Sequence, residues 1–185
     1  MGNGRTAVHV THEAACKVGG IGAVLHGFFT SLAYLNTIER SIVIGPLFST
    51  EGSFNERLGE NGEVLYSSID GYSSTGYAEA FRKIEYLFNA RLVYGRKTFL
   101  DEQTQVKSSP EVLLIDVNHI DRQKINEFKR KIFDEFGICS DFYENLWEYE
   151  QYIRLAPAAI AFLKAIGADR DDATIFAHEF MGMPT

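Results

Sequence analysis

Ala7-Val8-His9-Val10 alternates and reads as the first strand. From Ile21 to Leu35 the period changes: Val24, Leu25, Phe28, Phe29 and Leu32 recur at spacings of three and four, which predicts a helix. Arg40 to Pro46 reads as a second strand, with the continuous β-branched run Ile42-Val43-Ile44 expected of a strand covered on both faces. Gly45-Pro46 stops it. Strand, helix, strand is the parallel crossover unit, so the chain is expected to be α/β with a mostly parallel sheet flanked by helices.

The middle is less regular. Between Phe48 and Tyr77 the expectation is a short helix near Phe54 to Leu58, a strand at Val64 to Ile69, and a mobile surface loop over Gly71 to Gly76. Ala78 to Asn89 reads as a helix, Arg91 to Leu100 as strand, turn and strand, and Glu111 to Val117 as a buried strand. A helix from Asp121 to Phe136 carries Ile125, Phe128, Ile132 and Phe136 on one face and ends at Gly137. A longer one runs from Tyr143 to Ile166, with Pro157 expected to kink or divide it. Its stripe of Leu146, Trp147, Tyr149, Tyr152 and Ile153 reads as core. Ala173 to Ala177 is the last strand and runs into His178-Glu179.

Composition narrows the function. A net charge of -7 with no basic block argues against nucleic acid. No stretch approaches a membrane span, and a first strand so close to Met1 leaves no room for a signal peptide. Cys16 and Cys139 have no metal-ligand spacing and are too few for a disulfide framework, which points to reduced thiols in a cytoplasmic protein. Met1-Gly2 with Thr6 fits a myristoylation pattern, but a match this short is set aside, and Gly2 to Gly4 read as a short flexible leader. The glycines of Gly2 to Ala7 fit a loose dinucleotide fingerprint, yet they precede a strand where that motif must follow one.

The chemistry gathers at two strand ends. Between the first strand and its helix lie Thr11 to Gly22, with Lys17 and the glycines Gly19 and Gly20 at the helix mouth. Unpaired amides of a helix start, close backbone approach at glycine, and a nearby ammonium suit a phosphate-bearing ligand. The same loop also fits a tight turn with a solvated lysine. His178-Glu179 stands at the end of the last strand. In an open parallel sheet both ends border one crevice, provided that the two strands are parallel and near its centre. His12-Glu13 with His178-Glu179 lacks the two-histidine helical spacing of a metal site. A sugar phosphate or nucleotide sugar is the ligand this pair suggests, with His178 hydrogen-bonding the sugar.

Glu13-Ala14-Ala15-Cys16-Lys17-Val18-Gly19-Gly20-Ile21 resembles the lysine-glycine-glycine signature of glycogen and starch synthases, in the spacing of the animal and fungal type. Ile44-Gly45-Pro46, Tyr94-Gly95-Arg96, Val112 to Asp116, Phe128 to Ile138 and Ala177 to Gly182 resemble later segments in order. The resemblance implies the N-terminal, acceptor-side Rossmann-like half of a GT-B glycosyltransferase, spanning 1–185 as one domain. It implies retaining transfer of glucose from UDP-glucose or ADP-glucose to an α-1,4-glucan such as glycogen. It places Lys17, Gly19 and Gly20 at the donor phosphates and His178 beside the transferred glucose. Glu13 and Glu179 flank them as substrate-binding residues. No metal or cofactor is implied. The C-terminal nucleotide-sugar half is expected as a partner outside this chain, and the full-length protein has room for oligomerisation. Another sugar and acceptor, or a non-catalytic carbohydrate-binding module of the same fold, are the alternatives.

Overall fold

The computed structural model describes residues 5–16 and 18–185. Lys17 and the leader glycines Gly2 and Gly4 lie outside the described residues. In chain order the elements are β1 (Arg5–Val10), α1 (Gly20–Phe29), α2 (Leu32–Leu35), β2 (Ile38–Pro46), β3 (Gly62–Ser67) and β4 (Tyr72–Ser73). There follow α3 (Ala78–Phe88), β5 (Arg91–Lys97), β6 (Phe99–Leu100), β7 (Lys107–Ser108), β8 (Glu111–Asp116), α4 (Arg122–Phe136), α5 (Trp147–Ala165) and β9 (Ala173–Ala177).

Among the described residues seven strands form one sheet in the order β4-β3-β5-β8-β2-β1-β9, and β6 pairs with β7 in a separate small ribbon. β8, β2, β1 and β9 are mutually parallel; β5 runs against β8 and β3, and β4 runs against β3. The sheet is thus mixed and mostly parallel, with helices on both faces. Alternation along the strands splits the core in two. Val8, Val10, Ile42, Ile44, Leu113 and Ile115 pack with α3, α4 and α5. Val43, Val93, Val112 and Leu114 pack with Leu25 and Phe29 of α1 on the other face. Fully buried rings such as Phe29, Phe81 and Phe162 contribute about 1.5–3 kcal/mol each by leaving water.

The crossover from β1 to β2 uses the α1 face. The crossover from β8 to β9 uses the α4–α5 face and travels the opposite way across the sheet. Opposite directions on opposite faces give both crossovers one hand, as parallel strands require.

Several expectations need correction. The first helix breaks after Phe29: the Thr30 hydroxyl donates to the His26 carbonyl, and Ser31 caps the separate turn α2 by accepting from the Tyr34 amide. The expected loop over Gly71 to Gly76 contains β4, and Tyr72 packs edge-on against Phe54. Arg91 to Leu100 does hold two strands, but they do not pair with each other: β5 pairs with β3 and β8, while Phe99–Leu100 turns away to meet β7. α5 runs through Pro157 undivided. Its buried stripe begins later than expected: Tyr152 and Ile153 are buried, but Leu146 and Trp147 are exposed because the helix starts only there. The Trp147 ring instead lies under the Arg154 guanidinium at 5.2 Å. Phe136, the last residue of α4, is also exposed. β9 lies at the sheet edge rather than near its centre. Among the described residues no helix is long and apolar enough to cross a membrane.

Candidate functional site

β1 and β9 are parallel neighbours in register, with Val10 opposite Ala177. Their carboxyl ends therefore finish side by side on one rim. The His178 amide donates to the Val10 carbonyl at 3.0 Å, and the Thr11 amide donates to the Ile44 carbonyl at 2.9 Å. From there the chains part. The loop after β1 leads to the α1 face, while Met181, after β9, packs against the core on the α3–α5 face. Diverging loops at adjacent strand tips open the crevice where open α/β sheets bind ligands.

A cavity of about 530 Å³ occupies that crevice, with His12, Glu13 and Gly20 on one side and His178, Glu179 and Met181 on the other. Two close backbone approaches hold it in shape. A Cβ on Gly45 would sit 2.3 Å from the Thr11 carbonyl oxygen, and a Cβ on Gly182 would sit 2.8 Å from the Val10 carbonyl oxygen. Only glycine lets the β1 loop and the β9 tail settle this tightly on the sheet.

Glu13 organises the loop from inside. Its Oε2 accepts from the amides of Val18, Gly19 and Gly22 at 3.0, 2.9 and 2.8 Å. Burial pushes this carboxyl up, but the Gly19, Val18 and Gly22 amides, with His12 beside it, outweigh burial and hold it below the usual carboxylate range. The carboxylate thus complements the start of α1. The Gly19 amide, expected at a ligand phosphate, is bonded to Glu13, whereas Gly20 borders the cavity. The His12 Nε2 stands 3.5 Å from Glu13 Oε1, and its Nδ1 is buried with no hydrogen-bond partner among the described residues.

Glu179 has φ 61° and ψ -172°. A residue with a side chain resists this conformation, which here turns the chain sharply out of β9 beside the cavity.

Behind His178 lies a group that sequence reasoning missed. His9 is fully buried. Its Nδ1 is 2.9 Å from His178 Nε2 and its Nε2 is 2.9 Å from the Tyr34 hydroxyl, which in turn is 2.9 Å from Ser41 Oγ. Phe176 stacks on the His9 ring at 4.9 Å and Phe29 meets it edge-on at 5.3 Å. Burial, and secondarily the neighbouring His178, push the His9 pKa down to about 4; burial also lowers His178. Both rings are neutral near pH 7. The one available signal was a polar residue within an apolar strand.

Lys97 is the other addition. Its ammonium donates to the Ala15 carbonyl, and together with Cys16 and His26 it lines a second cavity of about 480 Å³ on the far side of Glu13. Burial lowers its pKa against the pull of Cys16 and Glu60. Among the described residues no cluster of three histidine, cysteine or carboxylate side chains could hold a metal ion.

The arrangement offers neutral imidazoles, one exposed carboxylate and a narrow backbone-lined floor. That set can hydrogen-bond the hydroxyls of a neutral polyol and orient them. The chain matches no protein-family model and no curated protein sequence.

Proposed function

We propose that this chain is the acceptor-side half of a retaining GT-B glucosyltransferase of the glycogen and starch synthase kind. It would work with a C-terminal half that holds the nucleotide. The donor is UDP-glucose or ADP-glucose and the acceptor an α-1,4-glucan. In this reading His178 and Glu179 meet the transferred glucose, Lys17 and Gly20 border the donor phosphates, and Glu13 shapes the turn that carries them.

The observation that carries this reading is the adjacency of the two strand tips. The glycine turn and His178-Glu179 are remote in sequence, yet they border one cavity. A Rossmann-like mixed sheet with its crevice at the parallel strand ends is the scaffold such a transferase needs.

A second reading draws on Glu13. Its carboxylate occupies the Gly19 and Gly22 amides that a phosphate would otherwise use. That favours a carbohydrate-binding module without a donor site. Titration of the complete protein with UDP-glucose, ADP-glucose, other nucleotide sugars and maltooligosaccharides separates the two. Saturable binding of a glucose nucleotide with glucan extension supports the transferase; binding of oligosaccharide alone supports the module. Binding of a different nucleotide sugar moves the assignment to another GT-B substrate.

A further inference from the structure

We infer that Ser41, Tyr34 and His9 form a one-way hydrogen-bond chain that holds His178 as its Nδ1–H tautomer, a donor toward the cavity, with His9 as the positioning residue. The tautomer follows from the contacts themselves; its use on a sugar or phosphate oxygen rests on the proposed function.

Each neutral imidazole has one N–H and one bare nitrogen. Each link in the chain needs one donor and one acceptor. With both rings neutral, the direction of the His9–His178 link fixes that of the His9–Tyr34 link, and two arrangements let the whole chain run one way; a third, in which Tyr34 accepts from both His9 and Ser41, leaves the phenolic proton unused. In the first, Ser41 donates to the Tyr34 oxygen, Tyr34 donates to His9 Nε2, and His9 Nδ1–H donates to His178 Nε2. The His178 proton then sits on Nδ1. In the second, every arrow reverses, and His178 carries its proton on Nε2.

Two arguments select the first. A phenol is a stronger acid than an imidazole N–H, and an imidazole nitrogen is a stronger base than a hydroxyl oxygen. The Tyr34 to His9 link is therefore stronger when the phenol donates. Burial raises the Tyr34 pKa, against the Ser41 hydrogen bond, so the phenol keeps its proton to give. The second argument concerns the one proton that three links leave over. In the first arrangement it is His178 Nδ1–H, on a ring that lines the cavity. In the second it is the Ser41 hydroxyl proton, and Ser41 Oγ has no hydrogen-bond partner but Tyr34 among the described residues.

The rings cannot easily escape this order. Phe176 stacks on His9 with planes 10° apart, and Phe29 blocks its edge. His178 Nε2 is occupied by His9, so Nδ1 is the nitrogen that the ring can offer to the cavity it lines. It presents a proton, which suits an acceptor oxygen. It does not present a bare nitrogen, as a general base would.

The test is long-range proton–nitrogen correlation NMR on the chain labelled with ¹⁵N-histidine, at pH 7.5 and without ligand. Wild type is expected to show His178 as the Nδ1–H form. Tyr34→Phe removes the His9–Tyr34 link from both arrangements, and because that link is stronger with the phenol donating, the His178 tautomer ratio is expected to shift toward Nε2–H by about twofold, less than a whole neutral hydrogen bond would give. Ser41→Ala removes one link from either arrangement and is expected to move the ratio less than Tyr34→Phe does. Wild-type His178 in the Nε2–H form overturns the inference, as does a tautomer ratio that Tyr34→Phe leaves unmoved. Because no sugar nucleotide is present, either result is separate from failure of the proposed function.

Discussion

Glu179 sits where glycine would be at ease, with φ 61° and ψ -172°. Such a conformation costs a residue with a Cβ about 1–3 kcal/mol, and its place beside the cavity ties that cost to the site. Glu179→Gly is expected to raise stability by about 1 kcal/mol, the relieved strain less the added freedom of the unfolded chain. Urea unfolding checks this, and a lower midpoint would contradict it. His9 makes a second prediction. Its pKa is about 4 in the fold against 6.5 ordinarily. The unfolded chain therefore takes up the proton first as pH falls. The stability due to neutral His9 is complete above pH 6.5 and is lost as pH drops toward 4, by roughly 3 kcal/mol in all. His9→Phe keeps a ring without a titrating group, and its stability should vary less between pH 7.5 and pH 5. Equal slopes for variant and wild type would refute the assignment.

At the scale of elements, the start of α1 depends on a side chain that precedes it. Glu13→Ala leaves the amides of Val18, Gly19 and Gly22 without their acceptor. The expected loss is about 2 kcal/mol, softened because Val18 and Gly19 can reach water. Amide hydrogen exchange should show faster exchange confined to 18–22; unchanged protection there would count against the capping role. The elements that the sequence announces are those with local punctuation. α4 begins at Asp121, whose carboxylate accepts from the Lys124 amide, and ends at Gly137 with φ 69°. α3 ends at Asn89 in the same left-handed region. Elements set by distant partners were hidden. β4 exists because Tyr66 and Ser67 offer an edge, and Trp147 is exposed because α5 starts late. The site divides similarly. His12, Glu13, His178 and Glu179 follow from strand ends alone. His9 looks like one more strand residue until Tyr34 and His178 are brought to it, and Lys97 reaches the loop from a strand far along the chain.

For the whole molecule, the proposed reaction needs a second half to hold the nucleotide. The chain alone is expected to give no glucan extension in a glucosyl-transfer assay; measurable extension would overturn that expectation. In the complete protein Lys17→Ala is expected to weaken donor use, and His178→Ala to lower kcat more than donor binding. Kinetics unchanged in both variants would remove the site assignment.

His9 and His178 are 169 positions apart, and their strands lie next to each other. Joining them closes a long loop of chain, and that closure costs entropy before it returns any contact. The crevice is therefore among the last features to form. A nascent or truncated chain that stops before Ala173 has β1 without its outer neighbour and lacks the His178–Glu179 side of the crevice. Competence to hold a ligand thus doubles as a signal that synthesis and folding have run to the end of the sheet.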